Sequence, residues 1–390
     1  LGSIPSSVGS MRQLEVLSLQ TNQLVGTIPP SLCNITTLAA LRLYVNALTG
    51  PIPACMALNY NFTVLVVYQN QLTGPLPSVW AAQSKMNYFD VNDNQLTGTI
   101  PAAFGTLAKL GSLYLGTNLF HGPVPASLSA LPSLVWLYLS YNHLTGTIPS
   151  DIGNLDQLLY IEMSGNRMTG TLPDSIGQMS QLEEIHFDTN AFQGPVPASW
   201  AQLTQLLVLN VYRNHLTGSV PSQLGLQTSK LQFIGLDSNC LTGTIPATLG
   251  NCTYLESLQV QNNLLHGTLP VTLRGLVYLT TLLVQNNRLS GPVDDVFGGQ
   301  HARGQDVFVV ALPQRHHALH HDGAVVEFRR HEMHRGPGQL AAGVDGALVR
   351  VQPRESRQQA GVDVQQPTFV VRDEAGREDA HDAGQHHQRG

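Results

Sequence analysis

In Leu137-Tyr138-Leu139 two core leucines flank a side chain that belongs elsewhere, and Asn142 follows three residues later. Apolar positions alternating in this way mark a short strand with one buried face. The arrangement returns along the chain. Asn22, Asn46, Asn70, Asn94, Asn118, Asn142, Asn166, Asn190, Asn214, Asn239, Asn263 and Asn287 stand 24 residues apart, except that the step from Asn214 to Asn239 takes 25. A fixed period in this range signals a solenoid of stacked coils.

The unit reads LxLxxNxLxGxIP, followed by xxLGxLxxL, and each part predicts an element. The asparagine falls where the chain turns, and its amide offers two donors and an acceptor to backbone groups the turn leaves unpaired. Thr145-Gly146 reads as a second turn, with glycine supplying a permissive backbone. Pro149 suits the start of a short helical turn, which Gly153 would close. A coil buries its leucines only against its neighbours, so the fold is an array and no repeat stands alone. The period predicts twelve strands, centred near Leu19, Leu43, Val67 and so on to Val284, in one parallel sheet. The extra residue before Asn239 should bulge on the return path near Gly225 to Ser229, leaving the sheet in register.

The quoted motif resembles a leucine-rich repeat of the plant-type subclass. It appears as VGTIP at Val25, LTGPIP at Leu48, LTGTIP at Leu96, Leu144 and Leu241, and LTGSVP at Leu216. The resemblance covers residues 1 to about 293, within a solenoid bounded at 1–298. It implies an α/β-type repeat solenoid, a right-handed curved superhelix with its parallel sheet on the concave face. It also implies extracellular recognition of a peptide or protein ligand, with a co-receptor as a further partner, as in receptor-like kinases and receptor-like proteins. Surface antigens of protists share the repeat, so a structural or adhesive coat protein is the rival reading.

The opening LGSIPSSVGS already lies inside a repeat, so a signal sequence and caps are expected outside this chain, as is any membrane segment. No apolar run of about 18 residues occurs. Net charge is −6, spread thinly, and charged residues are 12% of the chain, so no basic stripe for nucleic acid is present. Three sequons, Asn34-Ile35-Thr36, Asn61-Phe62-Thr63 and Asn251-Cys252-Thr253, fall on the return path and are candidate glycosylation sites. Cys33 and Cys55 lie on return segments of neighbouring coils, close enough in phase to pair. Cys240 and Cys252 are badly placed to pair, and Cys252 replaces a core leucine.

Recognition residues are sought among the non-leucine strand positions, which point off the concave face. The candidates are Tyr88, Asp90, Tyr114, Trp136, Tyr138, Tyr141, Tyr160, Glu162, Glu184, His186, Asp188 and Tyr212. Tyr114, Tyr138, Glu162 and His186 should form one row across four coils. Aromatics with flanking carboxylates have the composition of a binding hot spot and favour a partner with basic or polar side chains. Aromatics also suit sheet faces for packing reasons alone. Earlier coils, represented by Arg42 and Val66, lack this density. Glu184, His186 and Asp188 share a face, yet no nucleophile, phosphate loop or zinc spacing accompanies them. No catalytic residue, metal or cofactor is therefore assigned.

After residue 298 the repeat stops. Residues 299–390 contain no Lys, Asn, Ile, Tyr, Trp or Cys, and Arg, His and Gln supply 32 of them. Three readings fit this composition: a disordered tail, a metal-binding segment around His316, His317, His320 and His321, or a stretch translated out of frame.

Overall fold

The computed structural model describes residues 2–78, 85–291, 296 and 308–309. Strands of three residues, such as Val16–Ser18, Trp136–Tyr138 and Thr281–Leu283, line up in one parallel sheet of thirteen. Register advances by one repeat per strand, Leu113 opposite Leu137 and Leu137 opposite Ile161. The strands lie two residues earlier than the asparagine phase suggests. The residue before each ladder asparagine takes a left-handed conformation (Tyr141 φ 52°, Arg213 φ 49°), so the extended run stops short of the asparagine, while Leu139 and Tyr141 still donate to Glu162 and Ser164 of the next coil. The thirteenth strand, Phe308–Val309, pairs with Thr281 and Leu282, so the sheet runs past the last ladder asparagine. Otherwise the proposed 299–390 tail, with its histidine cluster, lies outside the described residues.

The ladder asparagines bind coil to coil. The Nδ2 of Asn142 donates to the carbonyls of Leu115 (3.0 Å), Leu139 (3.2 Å) and Ser140 (3.1 Å). Its Oδ1 accepts the Phe120 N–H at 3.0 Å, so one side chain ties its own turn to the preceding coil. Asn263 repeats the pattern with Leu236, Val260 and Gln261, and accepts from Leu241. At the first coil the exposed Asn22 donates only to its own turn, to Leu19 and Gln20.

LTGTIP does not form a plain turn. It makes a second parallel ladder on the flank of the solenoid, seen in strands such as Val25–Thr27, Ala47–Gly50 and Gln95–Thr97. Bonds such as Thr145 N–H to Gly122 O (2.9 Å) and Ser290 N–H to Gly267 O (2.8 Å) carry it along the array. Gly146 has φ +76°, a conformation glycine adopts without strain. The return path runs through short 3-10 helices entered from an extended proline, for instance Ala102–Thr106 after Pro101. Gly153 does not close its helix in a left-handed conformation. Its glycine is required because a Cβ there would overlap the Ser175 backbone carbonyl of the next coil.

The extra residue sits where the helix is lost. Gly225 turns at φ +86° and donates to the Thr228 hydroxyl at 3.0 Å, while Leu209 still pairs with Ile234. Inside, leucines stack in columns reinforced by aromatic edges, Phe89 against Phe104 at 5.0 Å and Phe187 against Trp200 at 6.2 Å. Cys33 and Cys55 form a disulfide with Cα atoms 5.8 Å apart; Cys240 is exposed and Cys252 buried. The first coil is looser: Leu17, Leu19 and Leu24 are only partly buried, whereas Leu137, Leu139 and Leu144 are fully enclosed. Among the described residues no helix is long and apolar enough to cross a membrane.

Candidate ligand-binding face

Because register is strict, every outward side chain has a neighbour one repeat away. Tyr114 stands opposite Tyr138, Tyr138 opposite Glu162, and Glu162 opposite His186. One column over, Trp136 is opposite Tyr160 and Tyr160 opposite Glu184. The rings meet. Centroids are 5.4 Å apart for Tyr88 and Tyr114, 4.8 Å for Tyr114 and Tyr138, and 4.6 Å for Tyr138 and Tyr160. Trp136 joins Tyr160 at 5.6 Å, and His186 stacks on Tyr160 at 5.2 Å. Tyr138 and Tyr160 are within 9° of parallel, so they cover one another's faces and turn their edges outward.

The strip is half-buried, and burial raises its phenols. Tyr114 is pushed up to about 12, while Tyr88, Tyr138 and Tyr160 are also driven above the ordinary phenol range. These rings are therefore neutral hydrogen-bonding groups at ordinary pH. Asp90 is buried among them, at 6% exposure, and its carboxyl rises to about 7, chiefly by loss of water. Its Oδ1 accepts the Asn92 N–H at 3.1 Å. Burial likewise raises Glu162.

Past the strip the face becomes polar. Buried Asp188 accepts the Ser164 hydroxyl at 2.6 Å and the Asn210 amide at 3.0 Å through Oδ1, and the Thr189 hydroxyl at 3.1 Å through Oδ2. Glu184 Oε2 and His186 Nε2 are 2.9 Å apart. The Glu184–His186–Asp188 trio is thus divided between two separate sets of partners, and no metal-holding group of three occurs among the described residues. Tyr212 lies beyond the strand Val208–Asn210, its ring 5.8 Å from the Arg213 guanidinium. Tyr141 sits at the left-handed bend, 60% exposed, its ring across Gly165.

The aromatic face also reaches further toward the first coil than Arg42 and Val66 suggest. Tyr44 and Tyr68 stack at 4.6 Å and 10°. Both stand two residues before a ladder asparagine, the position Tyr212 occupies before Asn214, and that phase was the available signal. The sequon residues Asn34, Asn61 and Asn251 are exposed, on the return side away from the strands. The Asn61 amide is engaged with the Thr36 carbonyl at 3.1 Å and accepts from Lys85.

An asparagine-bonded ladder, a flank ladder through LTGxIP and an outward aromatic face together define a leucine-rich-repeat solenoid of the plant type, and the chain belongs to that class. A leucine rich repeat model matches residues 84–144, and a second matches 13–35, 157–179 and 230–252. No curated protein matches by sequence. Similar solved structures include PEPR1 with AtPEP1, at 31% identity and TM-score 0.64, over 76% of this chain and 45% of that one. The Arabidopsis receptor kinase HAESA, with the peptide hormone IDA and the co-receptor SERK1, is 29% identical at TM-score 0.63, over 80% and 60%. The plant peptide hormone receptor RGFR1 with RGF2 is 28% identical at TM-score 0.60, over 76% and 55%. The chain thus spans about half the length of the structures it matches.

Proposed function

We propose that this chain is a non-catalytic recognition module that takes an extended peptide or protein segment across its concave strands. One observation carries the reading: Tyr88, Tyr114, Tyr138, Tyr160 and His186 keep ring-to-ring contact over five neighbouring strands of an open face. Rings already packed on each other are preorganised and lose little entropy when a ligand arrives. Glu162, Glu184 and Asp188 outnumber Arg213 around them, so the ligand carries basic or polar side chains. From Tyr44 to Tyr212 the face crosses seven strand spacings of about 4.8 Å, or roughly 34 Å, the reach of about ten extended residues.

The likeness to receptors solved with peptide hormones supports this reading, and the one solved with a co-receptor suggests a second protein partner. The Cys33–Cys55 disulfide and the exposed sequons suit an extracellular, glycosylated protein at the cell surface. No nucleic acid or cofactor enters this reading.

A synthetic peptide array probed with the intact chain, followed by kinetics on the best binder, tests it. Trp136→Ala should cost about 2 kcal/mol or more, mainly through faster dissociation. Glu184→Gln should slow association, and less so at high salt. Asn154→Ala, on the return-side helix Ile152–Asn154, is the control. If Trp136→Ala binds like the parent while return-side changes abolish binding, the concave assignment fails and the adhesive coat protein takes its place.

A further inference from the structure

Of the histidines on the flank ladder, two stand opposite one another. His121 and His143 are register partners on adjacent flank strands, His121–Gly122 beside His143–Leu144. Both are exposed, while Phe120 before the one and Leu144 after the other are buried, so the two side chains leave the same face. Partners in such a ladder have backbones about 4.8 Å apart. Neither imidazole has an ion-pair or hydrogen-bond partner among the described residues. Elsewhere the equivalent pair reads Thr49 with Gln71, Gln193 with His215, or His266 with Arg288.

We propose that His121 and His143 form a two-histidine site for a divalent transition ion of the zinc class. Neutral imidazole is a preferred donor for such ions, at about 2.0–2.1 Å. Neighbouring strands let two rings converge on one ion without moving the backbone. That backbone is held by His143 N–H to Phe120 O (2.8 Å) and Thr145 N–H to Gly122 O (2.9 Å). A second ring already in place acts at high effective concentration, so the pair outbinds either ring alone. Two protein donors leave about two positions of a four-coordinate ion open to water or to an anionic group of a second molecule. Tyr141, two residues before His143, puts the site at the rim of the concave face, although the site stands independently of what that face binds.

The test is a titration of the full chain with Zn²⁺ alone, following each imidazole Cε1–H resonance by NMR, with signals assigned through single His→Gln variants. Reading each ring separately keeps the other histidines of the chain from confusing the result. His121 and His143 should shift together with one midpoint, below those of His215 and His266. His121→Gln should raise the His143 midpoint about tenfold or more, and His143→Gln should do the same to His121. Both side chains are exposed, so an unchanged circular dichroism spectrum is expected for either variant. An unchanged His143 midpoint in His121→Gln, or a pair that titrates no earlier than His215 and His266, overturns the site.

Discussion

Replacing Asn142 with alanine removes a side chain that is 5% exposed and joins two coils. Its two amide hydrogens serve three carbonyls, so they amount to about two net bonds of about 0.5–1.5 kcal/mol each. Its oxygen is the acceptor for the Phe120 N–H, and stranding that buried donor costs about 1–3 kcal/mol more. Together the loss is about 2–6 kcal/mol. Asn22 has the same place in its repeat but is exposed and bonds only within its own turn, so Asn22→Ala should cost about 0.5 kcal/mol or less. Because repeat arrays open regionally, global unfolding is a blunt readout here. Native-state hydrogen exchange at the Phe120 amide is sharper. Asn142→Ala should speed it by at least about an order of magnitude, at about 1.4 kcal/mol per decade. If the two alanine variants lose stability equally, inter-coil bonding is not what the ladder contributes.

Asp90 should make stability fall as pH rises. Its carboxyl titrates at about 7 in the folded protein against an ordinary value of 3.8, so between those values the native state holds the extra proton and burial opposes ionisation. The protein should therefore be more stable at pH 4 than at pH 8 through this group, by a few kcal/mol, at about 1.4 kcal/mol for each pH unit that separates the two values. Asp90→Asn should flatten that slope in urea titrations, and a slope equal to the parent's would refute the assignment. Gly153→Ala should cost about 1–3 kcal/mol, since the Ser175 carbonyl it meets is backbone and cannot rotate away. Gly275→Ala, which meets nothing within 4 Å, should cost far less in the same melt. Reducing Cys33–Cys55, with a sequence separation of 22, should lower the stability of the first coils by about 3 kcal/mol. Faster amide exchange around Leu32 and Leu41 would report it.

Much of the backbone was legible in the chain. Leu137, Leu139 and Asn142 recur at a set phase, and a coil that buries itself only against copies of itself must adopt their register, so period and alternation determine a parallel sheet. The 25-residue step was equally readable, because an extra residue in a strand would turn its leucines outward, whereas Gly225 can absorb it on the return path. The flank ladder was not legible: Gly146 has the conformation of a turn glycine, and only the carbonyl of Gly122, a coil away, makes Thr145 part of a strand. Gly153 likewise reads as a helix terminator until Ser175 is placed against it. The same holds for the candidate site. Composition located Tyr114, Tyr138 and Tyr160, but whether their rings stand apart or close on one another depends on torsions set by neighbours 22 to 24 residues distant. Local sequence carries backbone phase because every coil repeats it. The relations between coils, where Tyr44 stacks on Tyr68 and His121 comes into register with His143, exist only once the coils are stacked.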